Sequence, residues 1–370
     1  MHLTEFLKNN KIEDLQKFGV YAKQHPKYPV LWQFTYDQIE SDKHKSNPLV
    51  IESRGVILDS SNGWVPVARP FDRFYNYGES CASQIDFRAS RIQEKVDGSL
   101  CIVYFYDGKW NVATKGSPDA SGNVGDNNFT FADLFWTIAG QQGVTDFLYS
   151  DKAFKNLTFL FELTSPYNKV VVWYKKSQLT LIGVRDILSG IEHNTAWYAN
   201  DPEMNPVKEY SFLSIEEMVS FAKNINGTEG EGFVVVDASF NRVKVKSENY
   251  LALSHLKDGF GPRRVLEIVR NAETEEFKKY LDSFPEMLPL FDEVKKKYDA
   301  LVLTLEEQYD KIKGISSQKD FAFEALKNPV SGAMFEVRKR GISFQKYLAE
   351  MNVKSLVVVL GLKDIELKIE

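Results

Sequence analysis

The chain has 370 residues, 43% hydrophobic and 26% charged, with a formal net charge of −5 and a pI near 5.7. These values describe an ordinary soluble globular chain with room for two domains, and they exclude a protein that coats long nucleic acid through bulk positive charge. Two cysteines, Cys81 and Cys101, are too few for a disulfide framework or a thiolate metal cluster.

Residues 1–10 lack the basic stretch and apolar run of a targeting segment, so a cytoplasmic location is expected. Residues 4–18 place Leu7, Ile12, Leu15 and Phe18 at helical spacing. Residues 30–36 read as a strand, 41–48 as a polar loop, and 49–59 as a second strand interrupted by Arg54-Gly55. Ser61-Asn62-Gly63 is a hairpin turn, and 64–68 returns. Residues 69–79 gather two arginines, four aromatics and an asparagine. That loop is either packed surface or a set of cations for phosphate beside flat faces for a base.

Strand-like residues 91–93 and 101–106 flank Glu94-Lys95-Val96-Asp97-Gly98-Ser99, and 110–117 returns, ending in Lys115-Gly116-Ser117. Residues 118–128 read as a mobile loop and 129–147 as a helix. Residues 157–163 form a strand whose one carboxylate is Glu162, 169–174 pair back, 178–186 form another strand, and 214–222 a short helix. Residues 227–237 run from glycine and glutamate into a strand. Strict alternation in 242–247 turns Lys244 and Lys246 to one face and Val243 and Val245 to the other. From about residue 248 helices take over, at 265–280, 291–312, 318–326, 333–337 and 344–351, and the domain boundary is placed at 255. The apolar run 356–360 is far too short to span a bilayer.

Lys95-x-Asp97-Gly98 has a plain reading, a hairpin turn with a solvated lysine. The chemical reading is a lysine held against an apolar wall, whose amine attacks a nucleotide phosphate and carries the nucleotide covalently. Context separates them. Arg54, Lys95, Glu162, Glu231 and Lys244/Lys246 all lie on or beside strands, where a lone buried charge is costly. Converging on one cleft, they would compensate one another and a triphosphate, with the glutamates serving a ribose hydroxyl and a hydrated magnesium ion.

The order Lys95-x-Asp97-Gly98, Glu162 in an apolar strand, Glu231-Gly232-Phe233-Val234 and Lys244-x-Lys246 resembles the covalent nucleotidyltransferase superfamily of ligases and capping enzymes. Glu52-Ser53-Arg54-Gly55, Arg69-Pro70 through Phe74-Tyr75-Asn76, Lys115-Gly116-Ser117 and Phe34-Thr35-Tyr36 make the chain most similar to the RNA ligase 1 family of T-even phages, the tRNA-repair ligases. The adenylyltransferase domains of fungal tRNA ligases are relatives. The resemblance covers residues 30–255 well and the helical tail in class and size.

It implies an α+β fold: a nucleotidyltransferase domain, 1–255, of antiparallel sheets flanked by helices, then an all-helical domain, 256–370, with a role in RNA specificity. It implies that Lys95 takes AMP from ATP and releases pyrophosphate, and that Asp97 and Gly98 shape the site. Tyr36, Arg54, Arg73, Glu94 and Lys115 would contact the nucleotide, Glu162 its ribose, and Lys244 and Lys246 its phosphates. The metal, Mg2+ or alternatively Mn2+, would be held by Glu231, with Glu162 and Glu275 as further ligands. AMP would pass to an RNA 5′-phosphate and be displaced by an RNA 3′-hydroxyl, each step needing clustered positive charge. A broken tRNA is the expected RNA, an end-healing kinase-phosphatase the expected companion, and a monomer the expected state.

The chain departs from the family at two places. Arg73 stands where phage relatives carry lysine, which keeps the charge but removes any proton-donor role. Residues 179–182 lack the aromatic that stacks on the base in many superfamily members, so an aromatic elsewhere or an aliphatic sandwich must serve. The acid of the helical domain falls among Glu273, Glu275 and Glu276. No OB-fold pattern follows the lysine pair, which argues against a DNA ligase or capping enzyme. The competing readings are a non-catalytic RNA-end or nucleotide-binding protein on the same fold, and a fungal-type ligase that requires a 2′-phosphate. In the tail, 295–297 and 338–340 are basic runs that either contact RNA phosphates or are solvated helix faces.

Overall fold

The computed structural model describes residues 1–125, 127–258, 261–271, 281, 284 and 287–362, with 255–258 described in backbone only. Contacts divide the chain into two units, Met1–Ser254 and His255–Glu370.

The first unit holds three sheets. One is an antiparallel meander of β1 (Val20–Gln24), β2 (Leu31–Tyr36), β3 (Arg54–Asp59) and β4 (Val65–Ala68). Helices α1 (His2–Asn9) and α2 (Pro48–Glu52) pack against it through Leu3, Leu7 and Val50 around Phe34. The third sheet has the order β12 (Glu209–Tyr210), β6 (Arg91–Glu94), β13 (Gly232–Val236), β14 (Arg242–Lys246), β5 (Tyr75–Asn76), and its β5/β14 pair is parallel. Helix α5 (Ile215–Lys223) covers it with Met218 and Ala222.

Inserted in sequence between β6 and β12 is the second sheet, ordered β11 (Glu192–His193), β10 (Gln178–Asp186), β9 (Leu157–Thr164), β7 (Ser99–Tyr106), β8 (Lys109–Thr114). It is buried on both faces. Alternation along β9 sends Phe159, Phe161 and Leu163 toward α3 (Phe131–Gln142) and α4 (Val144–Leu148), and Leu160 toward the first sheet. Glu162 shares the face of Leu160 but lies nearer the end of β9, where it lines a pocket.

Several expected elements differ. Residues 49–52 are helical, because Pro48 occupies the first turn and the Asn47 side chain caps the Leu49 N–H; the strand begins only at Arg54. Residues 129–147 are two helices, broken where Gly143 takes φ 88°. In 118–125, Ala120 and Val124 are buried in the core, so that segment is packed. Residues 169–174 do not pair with β9. The strand that does is β10, with Thr180 opposite Glu162, and 165–177 is an irregular loop.

The described residues of the second unit are helical. They comprise the end of α6 (Glu248–Asp258), then α7 (Pro262–Arg270), α8 (Leu288–Ile312), α9 (Gln318–Ala325), α10 (Ser331–Arg340), α11 (Phe344–Glu350) and α12 (Val353–Val359). Glu273, Glu275 and Glu276 lie outside the described residues. The basic runs are largely engaged within the unit. Arg338 donates to the Ile315 carbonyl at 2.8 Å and lies 4.1 Å from the Phe321 ring centroid, while Arg340 makes two bonds to Glu350 at 2.8 and 3.2 Å. Lys295 pairs with Asp299 and Lys297 with Glu293. No helix among the described residues is long and apolar enough to cross a membrane.

Candidate active site

The second and third sheets meet where β6 ends. Lys95 leaves the ladder but keeps its N–H on the Gly232 carbonyl at 2.9 Å, so the lysine is aligned against the start of β13. Gly232 has φ 134°, and a Cβ there would sit 2.1 Å from the Val245 carbonyl oxygen. Only glycine permits this approach. The carboxylate of the preceding Glu231 is buried between two lysines, its Oε2 2.7 Å from Lys95 Nζ and its Oε1 2.7 Å from Lys246 Nζ.

Further cations face the same cleft. Lys244, on the same face of β14 as Lys246, lies 5.1 Å from the Phe74 ring centroid. Burial, then Lys95, Arg54 and Lys246, lower its pKa to about 7. Arg54 is half-buried, 5.3 Å from the centroid of Phe74 and 6.0 Å from that of Phe71. Its Nη1 has no hydrogen-bond partner among the described residues. Gly55 (φ 92°) would bring a Cβ within 3.3 Å of Lys115 Cα, and its bareness lets Lys115 sit beside Arg54. Lys115 and Arg73 each lie 4.1 Å from the Tyr36 ring centroid, and Arg73 also donates to Ser41 at 2.8 Å. Burial, then Arg54 and Arg73, bring Lys115 down to about 8. Opposite them, burial pushes the Glu162 carboxyl up to about 7, against the pull of Lys95 and Arg54.

This is a pocket of concentrated positive charge with three carboxylates, Glu94, Glu162 and Glu231, in or beside it. An orphaned, buried guanidinium N–H costs about 1–3 kcal/mol when nothing accepts from it. Phosphate and carboxylate oxygens are the acceptors that match its geometry. The floor beside Lys95 is apolar, with Ile182, Val207 and Val234 next to Gln93 and Glu94. Ile182 sits in a bulge of β10, and the bare backbone of Gly183 beside it receives the Phe71 ring. Ile182 and Val234 are the aliphatic walls, and the Phe71 and Phe74 rings line the same pocket.

A larger cavity of about 470 Å³ lies on the other side of Phe71 and Phe74. Most of its charges are paired: Arg185 forks onto Asp72 at 3.0 and 3.1 Å, and Arg242 onto Glu192 at 2.8 and 2.6 Å. Of its arginines only Arg73, shared with the cleft, has no acidic partner among the described residues.

Of the residues expected from the sequence, Lys95, Glu94, Arg54, Arg73, Lys115, Tyr36, Glu162, Glu231, Lys244 and Lys246 come together. Asp97 turns away from the cleft. Its Oδ2 accepts from the Val171 and Val172 amides at 2.8 and 2.7 Å, and its Oδ1 from the Tyr250 hydroxyl at 2.7 Å. Gly98 serves packing, since a Cβ would lie 2.4 Å from the Leu163 carbonyl oxygen of β9. Arg69 points elsewhere, to the Leu188 carbonyl at 3.1 Å. The aromatic support of the cations by Phe71 and Phe74 was signalled only by the crowding of rings in 69–79. The Asp97 partners had no local signal. Among the described residues, no group of three acidic, histidine or cysteine side chains stands ready for a metal ion.

A family model described as RNA ligase matches residues 52–250, more than half of the chain. The chain is 29% identical over 304 residues to the "Putative bifunctional polynucleotide kinase/RNA ligase" of Autographa californica nuclear polyhedrosis virus, across 75% of this chain and 41% of that protein. It thus spans less than half the length of that relative. It is 25% identical over 376 residues to the RNA ligase of Rhodothermus phage RM378, across 83% of this chain and 81% of the phage protein. A solved structure of Naegleria gruberi RNA ligase with PPi aligns over 46% of this chain and 52% of its own, at 17% identity and a TM-score of 0.35.

Proposed function

The chain belongs to the RNA ligase family whose model spans residues 52–250, and on that premise we propose that it is an ATP-dependent RNA ligase acting through a lysyl-AMP intermediate. The observation that carries the reading is the cleft where Lys95 meets Glu231 beside Lys244, Lys246 and the unpartnered guanidinium of Arg54. Lys95 Nζ, once deprotonated, attacks the α-phosphorus of ATP; the nitrogen–phosphorus bond forms as the bond to the pyrophosphate oxygen breaks. Lys244, Lys246, Arg54, Arg73 and Lys115 hold the phosphates and offset the charge that gathers on the leaving pyrophosphate. Glu162 takes the ribose, and Ile182 and Val234 sandwich the base.

Glu231 and Glu162 suit a magnesium or manganese ion that takes its remaining ligands from water and the phosphates. Such an ion supplies further positive charge at the phosphates. Glu275 remains a proposed ligand on sequence grounds alone. AMP then passes from Lys95 to an RNA 5′-phosphate, and a 3′-hydroxyl displaces it to seal the strand. The name of the baculovirus relative joins a kinase to an RNA ligase, which supports an end-healing kinase as companion; a broken tRNA as the RNA rests on the sequence resemblance alone. We assign nucleotidyl transfer to residues 1–255 and RNA selection to 256–370.

Incubation with Mg2+ and α-labelled ATP tests this. Covalent label on the peptide containing Lys95, absent from Lys95→Ala, is the expected result. Label persisting in Lys95→Ala refutes the assignment.

A further inference from the structure

The loop 165–177, between β9 and β10, takes no part in the chemistry above. Its Tyr167 and Trp173 are 53% and 57% exposed. Lys175 and Lys176 are exposed beside them. No Asp or Glu occurs between Glu162 and Asp186, in a chain of net charge −5. Large rings left in water forgo the stabilisation that burial would give, and exposed rings grouped with lysines in a segment carrying no acid of its own mark a contact surface better than a packing one.

The loop is also firmly held. Asp97 takes the amides of Val171 and Val172, whose side chains are 2% and 5% exposed. Asn168 Nδ2 donates to the Leu163 carbonyl at 2.9 Å, and Tyr167 packs edge-on against Phe129 at 5.4 Å between centroids. Its anchor lies two residues from the nucleophile. The Tyr174 hydroxyl accepts from the Asp97 N–H at 3.3 Å, and the phenol lies close enough to Glu94 and Glu162 to feel both charges. The loop is thus rigid, basic, aromatic and adjacent to the cleft. The basic runs on the helices, by contrast, are largely paired within their own unit.

We propose that loop 165–177 is a docking surface for single-stranded RNA, which stacks a base on Trp173 and lays phosphates along Lys175 and Lys176 as it approaches Lys95. Base–aromatic stacking together with lysine–phosphate attraction is the general means of holding a single strand without reading its sequence. The inference rests on the RNA-ligase reading of the cleft.

The test uses the full chain with Trp173→Ala, Trp173→Phe and the double variant K175A/K176A. Lysyl-AMP formation is measured alone, and binding of a short 5′-phosphorylated single-stranded RNA by fluorescence anisotropy over a range of salt. Expected are unchanged lysyl-AMP formation in all three and RNA binding weakened roughly tenfold in Trp173→Ala. Trp173→Phe restores binding, and the double variant flattens the log–log salt slope by about 0.7 per lysine. Joining of preadenylated RNA should fall with binding. RNA binding at parental strength in Trp173→Ala and in the double variant overturns the proposal. So does loss of lysyl-AMP in step with RNA binding, because the loop would then act on Lys95 through Asp97. A parent that forms no lysyl-AMP condemns the cleft reading instead, and the anisotropy still judges the loop.

Discussion

Removing the Asp97 carboxylate gives the sharpest test of how the cleft is supported. Asp97 is 4% exposed and satisfies three donors: the Val171 and Val172 amides at 2.8 and 2.7 Å and the Tyr250 hydroxyl at 2.7 Å. In Asp97→Ala all three lose their acceptor. At about 1–3 kcal/mol for each buried donor left unmet, the sum is on the order of 3–6 kcal/mol after partial relaxation. For a unit of this size roughly 2–4 °C is lost per kcal/mol, so Tm should fall by about 10 °C or more. Asp97→Asn is the control. Its carbonyl oxygen can keep both amides, and its NH2 can donate to a reoriented Tyr250 hydroxyl, so only the charge assistance is lost, about 1–2 kcal/mol. Calorimetry reads the two Tm values, and hydrogen exchange of the 165–177 peptide reads the two amides. Should Asp97→Ala melt within about 1 kcal/mol of the parent, or keep the Val171 and Val172 amides protected, the latch described here is wrong.

The pH behaviour follows from two groups in the cleft. Lys244, near 7 instead of 10.5, loses its proton as pH rises through 7, so KM for ATP should climb above neutrality. Lys244→Arg, charged throughout, should flatten that climb in steady-state kinetics. Glu162 is raised from 4.5 to about 7, so between those values the folded chain holds a proton that the unfolded chain has released. Stability of the nucleotide-free protein should therefore fall as pH rises across that window, and Glu162→Gln should remove that part of the fall in denaturant titrations. Gly98→Ala places a methyl 2.4 Å from the Leu163 carbonyl oxygen and should cost about 1–3 kcal/mol. A neutral Gly98→Ala would show that β7 and β9 can separate without penalty.

Much of the cleft was legible because charges interrupted apolar runs. Glu162 stood alone in 157–163, and alternation in 242–247 put both lysines on one face, as the structure has them. What stayed hidden was decided by contacts distant in sequence. Residues 69–79 have no periodicity, so nothing local told that Arg73 would reach Tyr36 while Arg69 turned to Leu188. The β-branched run at 170–172 looked like a strand. Its amides are drawn instead to Asp97, more than seventy residues earlier, and that competition cannot be read from strand propensity. The helix at 48–52 was missed for the opposite reason. Its cap and proline are a local signal, masked by the β-formers that follow. The tail's basic runs stayed open between RNA ligands and solvated faces because their acidic partners sit a turn away or on another helix.

The Lys95–Glu231–Lys246 trio has a thermodynamic consequence. One negative charge divided between two positive ones leaves a surplus before any nucleotide arrives, and Lys244, Arg54 and Lys115 enlarge it. A cradle that attractive to the far end of a triphosphate is equally attractive to the fragment that departs. On the proposed lysyl-AMP chemistry, pyrophosphate should linger, and while it lingers the phosphoramidate on Lys95 would be open to cleavage back to ATP. A catalyst of that kind would gain its direction from outside itself, from whatever keeps free pyrophosphate scarce.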